Sequence, residues 1–166
     1  MLFPASFKVS TPTDREILVT RDFCAPRTLV FDAFTKPELV RRWLLGPPGW
    51  TMPRCEIDLR VGGFYRYSWR SEMDGSQMGL GGVFLEILRS ERLVSIARFD
   101  DAWYPGEARV TTEFAETDGI TTVSIRVLYE TQEARDTARR SGMEHGMSFG
   151  LERLENLIVT HLGVKE

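Results

Sequence analysis

Two histidines are the first residues of this sequence to consider for chemistry, and neither has the partners that catalysis requires. No serine, cysteine or acidic residue lies at a triad-like placement relative to His145 or His161. The fingerprints of nucleophile-elbow hydrolases, zinc proteases, P-loop proteins and dinucleotide-binding proteins are missing. Clusters of histidine, cysteine and acidic residues at metal-ligand spacing are missing as well. We therefore assign no catalytic residue and predict neither a metal nor a cofactor.

Glu86 is an acidic residue within an otherwise apolar strand, which we predict at residues 82–88. On the parity of Phe84 its side chain could point inward. A buried carboxylate is costly unless it is paired, so an inward Glu86 would be a polar anchor or an acid–base group. The alternative is a solvated Glu86, for which Arg98 of the next strand would be a structural cross-strand partner.

Three aromatic residues alternate along a strand predicted at residues 64–70. Tyr65, Tyr67 and Trp69 therefore share one face of the sheet, whereas Arg66 points to the other face. Pockets for small molecules are mostly apolar, with a few polar groups that orient the ligand, and this face suits that description. The alternative for each of these residues is plain core packing.

A long helix is predicted to begin at its N-cap Thr131 and to end before Gly163. Its apolar face carries Met143, Met147 and Leu154, and we expect these side chains to face the sheet. Flexible thioethers adapt to ligands of irregular shape, so the two methionines suit a cavity wall as well as a core.

Glycines recur every four residues along this predicted helix, at Gly142, Gly146 and Gly150. Each costs up to about 1 kcal/mol relative to alanine inside a helix. Their common register indicates a close approach of another backbone, or space left for a bound molecule.

Two tryptophans, Trp43 and Trp50, bracket a Gly-Pro-Pro-Gly loop that is expected to cap the mouth of a cavity. Together with the residues above they complete one predicted set of ligand-cavity residues. The set consists of Trp43, Trp50, Tyr65, Tyr67, Trp69, Phe84, Glu86, Met143, Met147 and Leu154.

The elements that would position these residues follow the order of one strand, two short helices, six strands and one long helix. The first strand is predicted at 16–25, the short helices within 27–45 and the remaining strands within 50–129. Short connections favour antiparallel neighbours, and a strand-rich block flanked by helices is typical of an α+β domain. We predict an irregular arm over residues 1–14 and a single domain over 15–163.

Composition narrows the class of protein. The chain of 166 residues has a net charge of −3 with scattered basic residues, so a nucleic-acid interface is not indicated. No apolar run approaches the roughly 20 residues that span a bilayer, and the N-terminal segment lacks the features of a secretory signal. We expect a cytoplasmic protein in which Cys24 and Cys55 are buried free thiols, with a disulfide between them as the alternative.

Four segments in series resemble the helix-grip, or START/Bet v 1-like (SRPBCC), superfamily, and within it the branch named after the activator of Hsp90 ATPase homologue 1. They are VFDAFTKPELVRRWLLGPPGW (30–50), EIDLRVGGFYRYSW (56–69), GGVFLEILRSERLVS (81–95) and SGMEHGMSFGLERLENL (141–157). The resemblance implies a curved, seven-stranded antiparallel sheet wrapped around the last helix, with the two short helices between strands one and two. It also implies a cavity between sheet and helix. Similar proteins bind lipids, hormones or polyketide-like molecules.

Three functions stay open at this point. The first is binding of a small hydrophobic or aromatic molecule in that cavity. The second is a protein-interaction role, such as a co-chaperone-type regulator, which would need a contiguous exposed apolar patch. The third is a cyclase or hydrolase acting on a hydrophobic substrate, which would need an inward ionisable group such as Glu86. A homodimer is a further open alternative.

Overall fold

The computed structural model describes residues 6–102, 104 and 106–161, with the side chain of His161 left out of the description. The first residues of the predicted arm and the predicted helix-ending Gly163 therefore lie outside the described residues. The strands are β1 (Lys8–Ser10), β2 (Glu16–Phe23), β3 (Trp50–Ile57), β4 (Phe64–Ser71), β5 (Gln77–Leu88), β6 (Arg92–Phe99), β7 (Ala108–Thr117) and β8 (Ile120–Leu128). The helices are α1 (Arg27–Thr35), α2 (Pro37–Trp43), α3 (Gln132–Arg140) and α4 (Met143–His161).

One antiparallel sheet holds all of these strands in the order β1-β2-β8-β7-β6-β5-β4-β3. The sheet wraps around the C-terminal helical segment, which confirms the predicted α+β helix-grip fold. The sheet has one strand more than the seven predicted. The additional strand is β1, which lies in the segment expected to be irregular. Val9 of β1 pairs with Val19 of β2, so the arm adds a short edge strand to the sheet.

The inner face of the sheet follows the two-residue period of the sequence. On β2, Ile17, Val19 and Phe23 are fully buried, and the neighbouring β8 buries every second residue in the same way. Helix α4 covers this face with its own buried row, which includes Leu154 and Ile158. An antiparallel sheet that is apolar on one face and solvated on the other explains the alternation.

Arg21 interrupts the apolar row of β2 and is nevertheless 2% exposed. Its guanidinium donates a hydrogen bond to the carbonyl oxygen of Leu151 at 3.2 Å and lies 3.4 Å from the Glu155 carboxylate. A buried charge is tolerated only where such partners compensate its lost hydration. This contact therefore fixes α4 against β2 at one position along the helix.

The short helices close one end of the sheet. Pro37 is the first residue of α2, where its missing N–H is no loss. The indole N–H of Trp43 donates to the carbonyl of Ala33 at 2.8 Å, which ties α2 back to α1. The rings of Phe34 and Trp43 lie 4.8 Å apart, and Phe34 also contacts Phe114 of β7.

The predicted single C-terminal helix is wrong in one respect, because the chain forms two helices separated at residues 141–142. Thr131 is the N-cap of α3, as predicted, and its hydroxyl accepts a hydrogen bond from the Ala134 N–H at 3.0 Å. Gly142 has a φ of +85°, a left-handed conformation that glycine adopts without strain. This residue ends the first helical stretch, and α4 starts directly after it.

The other two glycines of the predicted register differ, because only Gly150 meets a closely approaching backbone atom. A Cβ at Gly150 would lie 3.3 Å from the Trp43 carbonyl oxygen, and one at Gly146 would lie 3.6 Å from Pro47 Cδ. Gly150 therefore lets α4 pass close to the Trp43 backbone, whereas a Cβ at Gly146 would make an ordinary van der Waals contact.

Candidate functional site

Strand β4 places an aromatic row on the inner face of the sheet. Tyr65, Tyr67 and Trp69 alternate with more polar residues, as the sequence predicts. The ring centroids of Tyr65 and Tyr67 are 5.2 Å apart, and those of Tyr67 and Trp69 are 5.9 Å apart. These separations fall in the range of favourable aromatic contacts, so the row forms one continuous wall.

Tyr65 is the buried end of this row, and its hydroxyl has a partner. The Tyr65 hydroxyl and the Ser95 hydroxyl are 3.0 Å apart, and the Phe84 ring lies 5.2 Å from the Tyr65 ring. Burial raises the pKa of Tyr65, while the hydrogen bond to Ser95 opposes part of that shift. The polar group of Tyr65 is thus satisfied inside the protein, which makes this residue a structural part of the wall.

Tyr67 differs from Tyr65 because no described residue forms a hydrogen bond with its hydroxyl group. Burial raises the pKa of Tyr67 well above the usual value, and the neighbouring Tyr65 and Cys55 raise it further. Part of the Tyr67 side chain nevertheless remains accessible to solvent. Tyr67 is therefore only partly buried, and its hydroxyl is unpaired among the described residues.

Trp69 ends the row beside the helices. Its indole N–H donates to the Leu44 carbonyl oxygen at 2.8 Å, so the ring is held against the chain that follows α2. A small second core of Val40, Met52 and Cys55 packs beside Tyr67 and Trp69. Burial raises the pKa of the Cys55 thiol, which favours the neutral, inert form of this cysteine.

A second group of aromatic residues connects the sheet to the start of α4. The Tyr129 hydroxyl donates to the Met143 sulfur at 3.3 Å, and the Tyr129 ring lies 5.2 Å from that of Tyr104. Burial raises the pKa of Tyr129, as do the neighbouring Tyr104 and Glu144. Met143 and Met147 are both partly buried against the main core, and Met143 contacts Tyr129 directly.

The structure places the remaining predicted cavity residues in two environments. Trp43, Phe84 and Leu154 are buried in the main hydrophobic core. Trp50 is partly buried at the start of β3, opposite Ser71 of β4. These positions favour core packing for the first three residues.

The inward orientation considered for Glu86 is wrong. The register of β5 against β6 shifts between Phe84 and Glu86, so one extra residue in β5 reverses the parity of everything that follows. The Glu86 side chain is 43% exposed and lies 3.2 Å from Arg92. Arg98, the partner considered from the sequence, pairs instead with Gly81.

Three residues of the candidate site were missed by the sequence interpretation. Tyr129 continues the inward alternation of β8, a signal that was present in the sequence. Ser95 lies in an apolar strand, and only its partner Tyr65 reveals its role. Tyr104 lies in a loop, where residue spacing carries no periodic signal.

Other candidate groups carry no site. His145 is exposed and contacts the Phe149 ring at 4.8 Å, while the side chain of His161 is not described. Cys24 and Cys55 are both free cysteines, as predicted, but only Cys55 is buried, whereas Cys24 is partly exposed. Within residues 6–102, 104 and 106–161, no group of three or more histidine, cysteine or acidic residues could hold a metal ion.

In the same part of the chain, no helix is both long and apolar enough to cross a membrane.

Comparisons with known proteins agree with this architecture. Residues 24–158 match the sequence model of a family described as activator of Hsp90 ATPase homolog 1-like protein. A comparison with curated proteins gives no match.

Solved structures of bacterial proteins share the fold over nearly the whole chain. A Rhodobacter sphaeroides crystal structure is 27% identical, with a TM-score of 0.85, and the match covers 92% of this chain and 97% of that one. A Chromobacterium violaceum crystal structure is 28% identical, with a TM-score of 0.77 and coverages of 88% and 98%. A solution structure of an AHSA1-like protein from Aeromonas hydrophila is 18% identical, with a TM-score of 0.69 and coverages of 90% and 99%. The last of these shows the fold alone.

Proposed function

Because the chain belongs to the family of activator of Hsp90 ATPase homolog 1-like proteins, we propose that it binds a small hydrophobic or aromatic ligand between the β4 aromatic row and α4. The fold is one that is known for ligand binding. The proposed contacts are an aromatic wall on one side and the flexible side chains of Met143 and Met147 on the other. Such linings suit apolar molecules of irregular shape.

The observation that carries this proposal is the Tyr67 hydroxyl. No described residue hydrogen-bonds it, and Tyr67 is only partly buried. A hydroxyl that the protein leaves unpaired and water can reach is free to donate to a ligand that displaces that water.

The chemistry of Tyr67 also limits the ligand. Because burial raises its pKa, the hydroxyl stays protonated at neutral pH and is available as a donor. Arg21, the buried cation of the inner face, is already engaged by Leu151 and Glu155. We therefore propose an uncharged ligand that carries a hydrogen-bond acceptor such as a carbonyl oxygen.

The enzymatic alternative loses its support. A cyclase or hydrolase needs an ionisable group beside the substrate, and Glu86, the candidate from the sequence, lies on the outer face paired with Arg92. We propose binding without catalysis.

Two neutral fluorescent probes test the proposal. One is prodan, a naphthalene that carries a ketone, and the other is N-phenyl-1-naphthylamine, which lacks a carbonyl group. We expect both to bind, and we expect Tyr67→Phe to weaken prodan about tenfold while leaving N-phenyl-1-naphthylamine unchanged, as loss of one buried hydrogen bond implies. Absence of saturable binding by both probes would overturn the proposal.

Tyr65→Phe is the matched control, because its hydroxyl is already paired with Ser95. This variant should lower the stability of the protein and leave prodan affinity unchanged. Tyr67→Phe should weaken prodan binding without lowering the stability of the protein. If the two substitutions weaken prodan equally, Tyr67 is not the polar contact. Native mass spectrometry of the protein as purified from cells would then give the mass of any retained ligand.

A further inference from the structure

The outer face of the sheet carries a contiguous apolar surface that the proposed ligand site does not use. We call it the outer apolar stripe, and it consists of Phe64, Val83, Leu85, Leu88 and Ile96. Phe64, Val83, Leu85 and Leu88 are 49%, 44%, 41% and 47% exposed. Phe64 lies directly opposite Val83, and Val83 lies directly opposite Ile96, so three strands contribute to one row. Connected apolar patches on a protein surface are often interaction sites.

The β-bulge in β5 extends this stripe. The register shift between Phe84 and Glu86 makes room for Leu85, which is exposed, and turns Glu86 to the outer face beside it. Without the bulge, the alternation of β5 would carry Glu86 into the interior. The same β-bulge therefore adds Leu85 to the outer apolar stripe and turns Glu86 away from the inner face of the sheet.

One end of the stripe is positively charged. Arg66 of β4 lies across the glycines of β5, where a Cβ at Gly81 would be 3.2 Å from its Nη1 atom, and it forms an ion pair with Asp100. Arg98 pairs with Gly81 in the adjacent row and forms no ion pair with any described residue. Arg98 therefore supplies an uncompensated positive charge at this end.

The opposite end of the stripe is negatively charged. Arg92 lies 3.2 Å from the Glu86 carboxylate and 3.5 Å from the Glu113 carboxylate. Two carboxylates thus share one guanidinium, which leaves one negative charge in excess. Glu86 pairs with Val94 on the far side of the Val83–Ile96 row from Arg98.

These two ends carry unlike charges on opposite sides of the Val83–Ile96 row. We propose that a second copy of the chain docks face to face on the outer apolar stripe, around a twofold axis that runs along the Phe64–Val83–Ile96 row. This axis reverses the strand direction, so Arg98 of each copy approaches Glu86 of the other, while the apolar rows stack. Closed two-fold interfaces use the same patch on both copies, and complementary charges at the rim set their orientation.

Sedimentation of the purified chain tests the proposal. Between about 1 and about 300 μM, the wild-type protein should shift from monomer toward dimer. Val83→Glu, which adds a charge at the centre of the row, should abolish the shift. Met73→Glu is the matched control, because Met73 is 90% exposed in a turn away from the stripe and should leave the dimer unchanged.

Charge reversal separates this geometry from any other association. Arg98→Glu and Glu86→Arg should each weaken the dimer about tenfold, because each places like charges at both contacts. Mixing the two variants should restore dimers, since in the mixed pair both contacts again join opposite charges. All of these side chains are exposed, so unchanged circular dichroism and melting temperature are expected for each variant.

A wild-type chain that stays monomeric throughout this range would overturn the proposal and leave the stripe to a different partner. A dimer that survives Val83→Glu, or charge variants that do not complement each other, would also overturn it. None of these outcomes depends on the ligand site, because Tyr67 lies on the other face of the sheet.

Discussion

The ring of Tyr65 occupies the space into which a side chain at Gly82 would project. The two residues are directly opposed on β4 and β5, and a Cβ added at Gly82 would overlap the Tyr65 ring at Cζ and Cε1. The absence of a side chain on β5 therefore lets the tyrosine lie flat on the sheet and reach Ser95 on β6.

Gly82→Ala should consequently displace Tyr65 and break its contact with Ser95. We expect the free energy of unfolding to fall by about 1–3 kcal/mol, as for other over-packed interiors, measured by urea denaturation. Gly81→Ala is the control, because the one close contact of its Cβ would be with the movable Arg66 side chain on the outer face, and the Tyr65 backbone oxygen lies at 4.0 Å. Equal effects of the two substitutions would contradict the inferred packing of Tyr65.

The buried contact between Arg21 and Glu155 should respond unequally to the loss of either partner. Glu155→Ala leaves the guanidinium with the Leu151 carbonyl and the face of the Phe23 ring, and we expect a loss of about 2 kcal/mol because Glu155 is partly exposed. Arg21→Met replaces the cation with an apolar chain and should cost less. Chemical denaturation of both variants and of the double variant would give the coupling energy.

The exposed pair of Arg60 and Asp58 provides the matched control for that experiment. These side chains lie 2.8 Å apart but are largely solvated, so Arg60→Met should leave the unfolding midpoint unchanged. A larger loss for Arg21→Met than for Glu155→Ala would argue against an uncompensated buried charge as the cause.

Alkaline pH should destabilise the protein through its buried tyrosines. Burial raises the pKa of Tyr65, Tyr67 and Tyr129 in the folded state, whereas the unfolded chain keeps values near 10. The unfolded state then loses protons first, so stability is constant below about pH 9 and falls as the pH rises past 10. Each such tyrosine lowers the free energy of unfolding by up to about 1.4 kcal/mol per pH unit above its unfolded-state pKa.

Melting temperatures between pH 8 and pH 11, with tyrosinate absorbance recorded in parallel, would check this prediction. Tyr67→Phe should make the alkaline loss shallower, because one buried hydroxyl no longer resists ionisation. A wild-type profile that stays flat above pH 10, or one that Tyr67→Phe leaves unchanged, would show that the hydroxyl is solvated in the folded state.

Local sequence patterns were sufficient for the parts of the fold that depend on short-range chemistry. Two-residue alternation placed Tyr65, Tyr67 and Trp69 on one face, because successive side chains of a strand point to opposite sides. The Thr131 cap and the proline at the start of α2 follow from backbone hydrogen bonding within a few residues. The order of elements and the family resemblance then led to the helix-grip fold.

The orientation of some side chains depends on strand pairing, which local sequence patterns do not specify. The orientation of Glu86 depends on a bulge that exists only in the pairing of β5 with β6, and one extra residue reverses the face of every following side chain. Likewise, the sequence does not distinguish a glycine that ends a helix from one that permits a close contact. The structure does, because Gly142 has a left-handed backbone and Gly150 lies beside Trp43.

By itself, then, the sequence determined which residues alternate, which cap a helix and which family the chain resembles, because these depend on neighbours along the chain. Tertiary structure alone decided that Tyr65 has a hydroxyl partner while Tyr67 has none among the described residues, and that the exposed apolar row lies between unlike charges. The reason is physical: hydrogen bonds, burial and charge pairs join residues that are distant in sequence, and their geometry exists only once the strands have paired.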